Sequence, residues 1–490
     1  MMTHPGSHIA STRLTLAAGI RAGLTGCAVA LCLTAWIAAS NDAMAQAAAP
    51  CKHDFSWSDP PALEPPSDIC GTGDSAADFY ALSWQIFKFL VWPASTQRGI
   101  PDTAKKITDA GPTTFESLKA DWEIFRQNAE IPADWTAFPG SADPCNNHPN
   151  IEPGALVLAN FNEFGDIAEG ELGGKSVHML VAQNRSYVRY QAFFNKKVFD
   201  TITGSRLYDS SAVGRVGDAP DGVPVPEATR QPAGALTVKS AWIELPGPNP
   251  IDPSRFYIRK RAWVQNPDDH ECRMADVGLV GLHIVYKSPS RPQWIWSTFE
   301  HVDNVPEPLP ESNRSYTFND GSSLAMKDGP DDDFKIPRPV GAAGPGDPPR
   351  PYQVQRLQPI TADASDLNHV QQEKLKELGS VWQNYKLVMA QWTEIGMAPD
   401  HTANPLIPTP SCAGPNMSAT ANTTMETFFQ AQPDCSFQLT CMGCHEGTRR
   451  TDSIWSIPFN RNSPSGMSRS GSRALAIKSL QDLLQVLRTK

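Results

Sequence analysis

VGLVGLHIVY at residues 277–286 and WIWSTFEHVDN at residues 294–304 are the two most informative runs for predicting the fold. Both runs are rich in β-branched and aromatic residues, and the stretch between them contains Ser and Pro, so together they predict a β-hairpin. The first run has apolar residues at neighbouring positions, which point to opposite faces of a strand. We therefore expect this strand in the middle of a sheet rather than at its edge.

Other short runs with strand character surround the hairpin, at residues 155–160, 177–183, 188–194, 236–245 and 256–264. Apolar residues at helical spacing predict helices over residues 75–92 and 114–128, and an amphipathic helix that reaches Trp392. The pattern predicts an α+β fold. Its β-rich central body, at about residues 155–305, is flanked by helices and followed by a small, mainly helical C-terminal segment.

The domain organisation follows from the distribution of proline and glycine. The chain has 490 residues, of which 44 are proline, and proline and glycine dominate much of residues 305–360. Such a composition is typical of a long irregular connection. We expect a mixed α/β body over residues 46–360, which includes this connection, and a helical region over residues 361–490.

Residues 1–45 have the pattern of a secretory signal peptide. Two arginines flank the start of an uncharged apolar run at residues 22–39, and Ala43-Met44-Ala45 matches the small-x-small cleavage pattern. A permanent membrane anchor and a lipoprotein signal at Cys27 are the alternatives. Without these residues 40 basic and 51 acidic residues remain, a net charge of −11. We expect a periplasmic or secreted protein with no stable membrane span, and the acidic charge argues against a nucleic-acid partner.

Cys441-Met442-Gly443-Cys444-His445 is the strongest motif in the chain. It is a C-x-x-C-H, the signature of covalent c-type haem attachment. Two thiols add to the two vinyl groups of one haem, and the histidine ligates the iron. A redox C-x-x-C pair and half a zinc site are the alternatives, but no second ligand pair follows Cys444. The motif occurs once, so we expect one covalently attached haem c.

The six other cysteines of the mature chain are even in number, which indicates disulfides in an oxidising compartment. Sequence proximity favours the pairs Cys51–Cys70 and Cys412–Cys435, and elimination leaves Cys145–Cys272.

The sixth ligand of the iron decides its chemistry. Met425 lies 16 residues before Cys441, and Met467 lies 22 residues after His445. A thioether on the iron raises the reduction potential and closes the site, as in an electron carrier. An open position or a distal histidine favours peroxide or oxygen chemistry instead. The spacing does not distinguish the two methionines, and both stay candidates as metal ligands.

His283, Glu300, His301 and Asp303 form a dense set of titratable side chains in the hairpin. A turn near residue 290 places His283 opposite about Ser297, with His301 roughly 13 Å further along the strand, too far for both to bind one metal ion. A register error of one residue would turn a whole strand's side chains to the other face. These residues are either structural or part of a pocket beside the haem.

Several segments resemble an uncharacterised family of exported proteobacterial proteins that is usually labelled cytochrome c family. They are Ser83–Phe87 with Trp92-Pro93, Val277–Lys287, Trp294–Asn304, Asn422–Phe428 and Cys441–His445. The resemblance covers most of the mature chain and implies exported haem c, but no particular substrate. Ordinary small cytochromes c are similar only in the pentapeptide, which they carry near the start of a helical domain.

We therefore expect an exported mono-haem c-type cytochrome that acts in electron transfer or as a redox partner. The alternative is a haem-dependent oxidoreductase, peroxidase-like or oxygenase-like, with a distal pocket formed by the β-rich body around His283, Glu300 or His301. The expected partner is accordingly a redox protein or a small-molecule substrate. No catalytic triad, P-loop or Rossmann glycine pattern is recognisable in the sequence.

Overall fold

The structure is a computed structural model, and it describes residues 50–457 apart from 74, 127–128, 139–142, 146–150, 161–178, 210–211, 213–228, 248–250, 268–270, 308–314, 322–348, 357–358, 393–420, 428–440, 442–444 and 446–450. The described residues belong to one compact unit, Ala48–Lys490. Its α-helices are α1 (Ala76–Val91), α2 (Asp121–Ile124), α3 (Lys196–Gly204) and α4 (Ala362–Glu377). The strands are β1 (Lys119–Ala120), β2 (Val157–Leu158), β3 (Arg189–Phe194), β4 (Leu236–Glu244), β5 (Ile258–Gln265), β6 (Cys272–Tyr286), β7 (Ile295–His301) and β8 (Tyr385–Gln391).

These strands form one mixed sheet with the order β1-β3-β4-β6-β5-β2, and β7 and β8 extend it from β6. Strand β6 is 15 residues long. It pairs with β4 on one side and with β5 and then β7 on the other. The α+β fold, the hairpin and the central position of its first strand are thus confirmed.

The register of the hairpin divides its side chains between two faces. Trp296 lies opposite Val285, Thr298 opposite His283, and Glu300 opposite Gly281. Residues directly opposite each other point to the same side of a sheet. We call the side that carries Trp296, His283 and Glu300 the front face, and the side that carries Ile284 and Phe299 the back face. His283 pairs one residue away from the expected Ser297, so the expected register was wrong by one.

Helix α1 covers the back face. Ser75 caps it, because its hydroxyl accepts from the backbone N–H of Asp78 while the Asp78 carboxylate accepts from the backbone N–H of Ser75. Phe87 stacks on Phe299 with ring centroids 4.3 Å apart, and Trp84 meets the same ring edge-on. These aromatic residues are therefore core residues, as the helical spacing predicted.

Two hydrophobic clusters lie on the front face. The Trp296 cluster gathers Phe194, Trp294 and Trp296 with side chains of α3 and with Ile454 and Ile457. The Met425 cluster gathers Tyr190, Val280 and Met425 with residues of the neighbouring loops. Both clusters include residues from the C-terminal part of the chain, so that part packs directly on the sheet.

Two of the predicted helices differ from the structure. The helix expected to reach Trp392 ends at Glu377, and Gly379, with a φ of 68°, begins a turn into strand β8. Strand β8 pairs with β7, so the sheet continues beyond residue 360. The helix expected over residues 114–128 is interrupted by β1. Of its described residues, α2 and a short 3-10 turn at Phe115–Ser117 are helical.

The disulfides Cys51–Cys70 and Cys145–Cys272 are both present, as predicted. The expected partners Cys412 and Cys435 lie outside the described residues. Within the described part of the chain, no helix has both the length and the apolar character needed to cross a membrane.

Candidate functional site

The His445 ring lies on the front face, over the end of the β6–β7 hairpin. Its centroid is 4.3 Å from that of Trp296, at an interplanar angle of 52°, and the Trp455 ring stands nearly perpendicular at 6.0 Å. Trp296 projects from the front face because it lies opposite Val285 in the alternating register. The sheet therefore supplies an aromatic wall for the histidine of the C-x-x-C-H motif.

A hydrogen bond defines the protonation of the His445 ring. Nδ1 lies 2.8 Å from the backbone carbonyl oxygen of Ser453. A carbonyl oxygen only accepts, so Nδ1 carries the proton and the lone pair of the neutral ring is on Nε2. Histidines that bind metals through Nε2 commonly hold the other N–H against a carbonyl in this way.

The electrostatic surroundings keep His445 neutral. Burial lowers the pKa of the imidazole to about 3, against the opposing effect of the Ser453 carbonyl. Positive charge on Lys239 and His283 lowers this pKa further. Those two residues lie opposite each other on β4 and β6. A neutral imidazole is the form that ligates metal ions.

Cys441 lies in the same region. It is half-buried and packs against the Trp296 cluster. Cys441 and His445 both have helical backbone conformation, and the cluster on which Cys441 packs contains Trp296, the residue that His445 contacts. Cys444 and Met467 lie outside the described residues, so two of the predicted site residues, Cys441 and His445, are brought together here.

Residues 451–457 hold the carbonyl that His445 contacts. The Asp452 carboxylate lies 2.5 Å from Lys287 Nζ and accepts from the backbone N–H of Gln231 at 2.7 Å. Trp294 Nε1 donates to the Asp452 carbonyl oxygen at 2.7 Å. These contacts tie the segment to the β6–β7 hairpin.

Met425 lies elsewhere on the front face. Its side chain is 2% exposed and packs in the Met425 cluster, whereas Cys441 packs in the Trp296 cluster. The neighbouring Thr424 lies against Gly281 of β6. Gly281 is four residues, or about 13 Å, along the strand from Val285, the residue opposite Trp296. Met425 is thus a core residue in a different cluster from Cys441, and its role as a ligand of the same iron stays a prediction.

The three titratable residues of the hairpin have separate environments. His283 forms an ion pair with Glu426, 3.2 Å from Nε2 to Oε1, and both side chains are partly exposed on the front face. Glu300 is fully buried against Arg356 and accepts from the Thr423 hydroxyl at 2.8 Å. Its carboxylate is therefore occupied by structural contacts.

His301 lies on the back face. It stacks on Phe256 with centroids 3.9 Å apart, and its Nε2 is 2.9 Å from the Arg255 carbonyl oxygen. The front face carries His445, so His301 points away from the face that His283 and Glu300 share with it. Only His283 of the three has a partly exposed side chain on the front face.

Sequence reasoning missed Trp296, Ser453, Asp452 and Lys287. The sequence contains only a weak indication of Trp296: an aromatic residue in a strand, opposite another apolar residue, is expected to add to an apolar patch on one face of the sheet. Lys287 and Asp452 carried none, since they are 165 residues apart in the chain.

Among the described residues, no group of three or more His, Cys, Asp or Glu side chains has the geometry to hold a metal ion. A haem iron needs only its axial ligands from the protein, because the porphyrin supplies four. Comparison with protein-family models, curated proteins and solved structures gives no match for this chain.

Proposed function

We propose that this chain carries one haem c, attached covalently through Cys441 and Cys444 with His445 as an axial ligand of the iron. The observation that carries the proposal is the bond from His445 Nδ1 to the Ser453 carbonyl oxygen, beside Trp296. It leaves the ring lone pair on Nε2, which is the atom that ligates haem iron after a C-x-x-C-H motif.

In this proposal the protein is an exported mono-haem c-type cytochrome that acts in electron transfer or as a redox partner. Bound haem c supplies a one-electron Fe(III)/Fe(II) couple. The protein holds the His445 ring in one tautomer and packs Trp296 and Trp455 around it, which limits access of water. The resemblance of several segments to the exported cytochrome c family agrees with this assignment.

Export to an oxidising compartment belongs to the same proposal. Haem c attachment through two thioethers is consistent with the leader pattern of residues 1–45. The disulfides Cys51–Cys70 and Cys145–Cys272 support it, because disulfides persist in exported proteins and are rare in the reducing cytosol.

A haem-dependent oxidoreductase, peroxidase-like or oxygenase-like, is the second candidate function, and one observation favours it. Met425 is buried in another cluster, while the partly exposed pair of His283 and Glu426 lies on the same face as His445. An imidazole paired with a carboxylate is a suitable acid–base pair. Met467 and Met425 remain the methionine candidates for the carrier function.

The attachment itself is tested by expressing the full chain in a host that attaches haem c and staining for haem on a denaturing gel. We expect staining of the wild type, one haem per chain by the pyridine haemochrome spectrum, and loss of covalent staining in the Cys441→Ala/Cys444→Ala double variant. The matched control is Cys51→Ala/Cys70→Ala, which removes two cysteines elsewhere and should stain. Covalent staining of the first double variant would refute the proposal.

The absorption spectrum of the ferric haem distinguishes the two candidate functions. A weak far-red band of a sulfur-to-iron bond, lost in Met467→Ala, supports the carrier. A high-spin spectrum that shifts on addition of peroxide or cyanide, and whose peroxide response falls in His283→Gln, supports the oxidoreductase.

A further inference from the structure

The chain segment that follows the C-x-x-C-H motif has an unusual backbone at the point where it contacts His445. Asp452 has a φ of 52° and the next residue, Ser453, has a φ of 61°. Residues other than glycine rarely adopt this left-handed backbone conformation, and they keep it only where surrounding contacts determine it. The carbonyl that accepts from His445 Nδ1 belongs to the second of these two residues.

Three separate parts of the chain hold this turn. Lys287, directly after β6, pairs with the Asp452 carboxylate at 2.5 Å. Trp294, directly before β7, donates to the Asp452 carbonyl, and Gln231 donates its backbone N–H to the carboxylate. The side chains of Lys287 and Asp452 are 1% and 0% exposed.

A buried ion pair is by itself a weak source of stability, because removing both charges from water offsets most of their attraction. Such a pair does select one arrangement, since any other arrangement leaves a charge buried without its partner. Here the arrangement selected is the turn that aims the Ser453 carbonyl at His445. The ammonium group also lies 5.0 Å from the centroid of Trp294, which fixes the indole that donates to the same turn.

We propose that Lys287 and Asp452 are positioning residues for His445, acting through the Ser453 carbonyl to hold the ring ready as an axial ligand. The inference rests on the proposed haem attachment. Lys287 and Trp294 of the β6–β7 hairpin hold Asp452, and the carbonyl of the next residue, Ser453, accepts from His445 Nδ1. The sheet thus sets the orientation of the His445 ring.

The hydrogen bond from Nδ1 increases electron donation by the ring to a metal. Loosening it in Lys287→Met should therefore raise the midpoint potential of the haem. In the haem-free full chain, Lys287→Met should also make the ring react severalfold faster with diethyl pyrocarbonate, because a ring that the Ser453 carbonyl no longer holds beside Trp296 is more accessible to the reagent. Lys287→Arg keeps the charge, so its midpoint potential and its rate of His445 modification should stay close to those of the wild type.

The matched control is Arg189→Met, which breaks the ion pair between Arg189 Nη1 and Glu244 Oε1, 2.9 Å apart. Arg189 is the first residue of β3, at the end of the strand away from Phe194. The control should leave the potential and the modification rate of His445 unchanged. If Lys287→Met does not fold, Asp452→Asn weakens the same pair with a side chain of the same size and should shift both values in the same direction.

The outcomes separate the two proposals. A wild type without covalent haem refutes the proposed function. A stained wild type in which Lys287→Met and Asp452→Asn leave both the potential and the modification rate unchanged, or in which Arg189→Met changes them equally, refutes the positioning role alone. A shift in the first two variants, reversed by Lys287→Arg and absent in the control, supports it.

Discussion

Glu300 and His301 are neighbours in the sequence, but alternation in β7 turns them to opposite faces of the sheet. Burial alone would raise the pKa of the Glu300 carboxyl, yet Arg356 and Lys386 outweigh burial and hold that pKa below its usual range. Glu300 therefore stays ionised and ties Thr423 to the front face. For His301 burial outweighs the Arg255 carbonyl and the Asp303 carboxylate, which both raise the pKa, and the pKa of the imidazole falls to about 4.

The pKa of His301 makes stability depend on pH. The unfolded chain binds a proton near pH 6.5, whereas the folded chain binds it only near pH 4, so the unfolded state gains protons first as the pH falls. His301→Gln should reduce the loss of stability between pH 7 and pH 5 by about 2 kcal/mol, because one pKa unit corresponds to about 1.4 kcal/mol. Urea unfolding at both pH values measures the difference.

His369→Gln is the matched control, since His369 is an exposed histidine on helix α4. It should leave the pH dependence as it is in the wild type. Equal pH dependence of the wild type and His301→Gln would contradict the prediction.

At the scale of elements, the contact between residues 421–427 and β6 depends on one glycine. A Cβ atom on Gly281 would overlap Thr424 Oγ1 and lie 3.2 Å from Asn422 Oδ1. Asn422 also donates to Thr298 Oγ1 at 2.9 Å, so the segment is held close to the sheet. The glycine is needed for this close approach of two chain segments.

Gly281→Ala should therefore lower the free energy of unfolding by about 1–3 kcal/mol, the usual cost of added volume in a packed core. The matched control is Gly204→Ala in helix α3, where no atom of the described residues outside the helix backbone and the adjacent residues lies within 4 Å of an added Cβ. Because alanine favours helices, the control should be neutral or slightly stabilising. Thermal unfolding compares the two, and equal stability of both variants would refute the argument.

The choice between helix and strand was harder to predict from the sequence after Gly379 than in the β6–β7 hairpin. Val381, Trp382, Tyr385 and Trp392 repeat at a spacing that fits one face of a helix, yet Tyr385–Gln391 is strand β8. The strand adds hydrogen bonds to β7 and buries Tyr385 and Leu387 on the sheet. This tertiary pairing outweighs the local periodicity, which short apolar runs leave ambiguous.

At the scale of the whole molecule, one sheet connects regions that are far apart in the chain. The back face is covered by α1, and the front face by α3 and by C-terminal segments that include His445. The disulfide Cys145–Cys272 spans 127 residues and ends at the first residue of β6, whereas Cys51–Cys70 spans 19.

The longer disulfide should contribute more to stability. The chain-entropy relation gives about 5 kcal/mol for a loop of this length and about 3 kcal/mol for the shorter one. Cys145→Ser/Cys272→Ser should therefore lower the free energy of unfolding more than Cys51→Ser/Cys70→Ser, which serves as its control. Guanidinium unfolding measures both, and a larger effect of the shorter loop would contradict the prediction.

Short stretches of sequence were enough to predict the β-hairpin, the central position of β6 and the disulfide Cys51–Cys70, and they predict the haem chemistry of Cys441, Cys444 and His445. These features depend on local spacing, whereas Cys145–Cys272 was predicted by elimination alone and spans 127 residues. Folding was needed to show that Met425 is a core residue, that His301 lies behind the sheet, and that Lys287 meets Asp452. The reason is physical: strand register decides the face of every side chain, and a buried pair needs a partner that folding alone brings near.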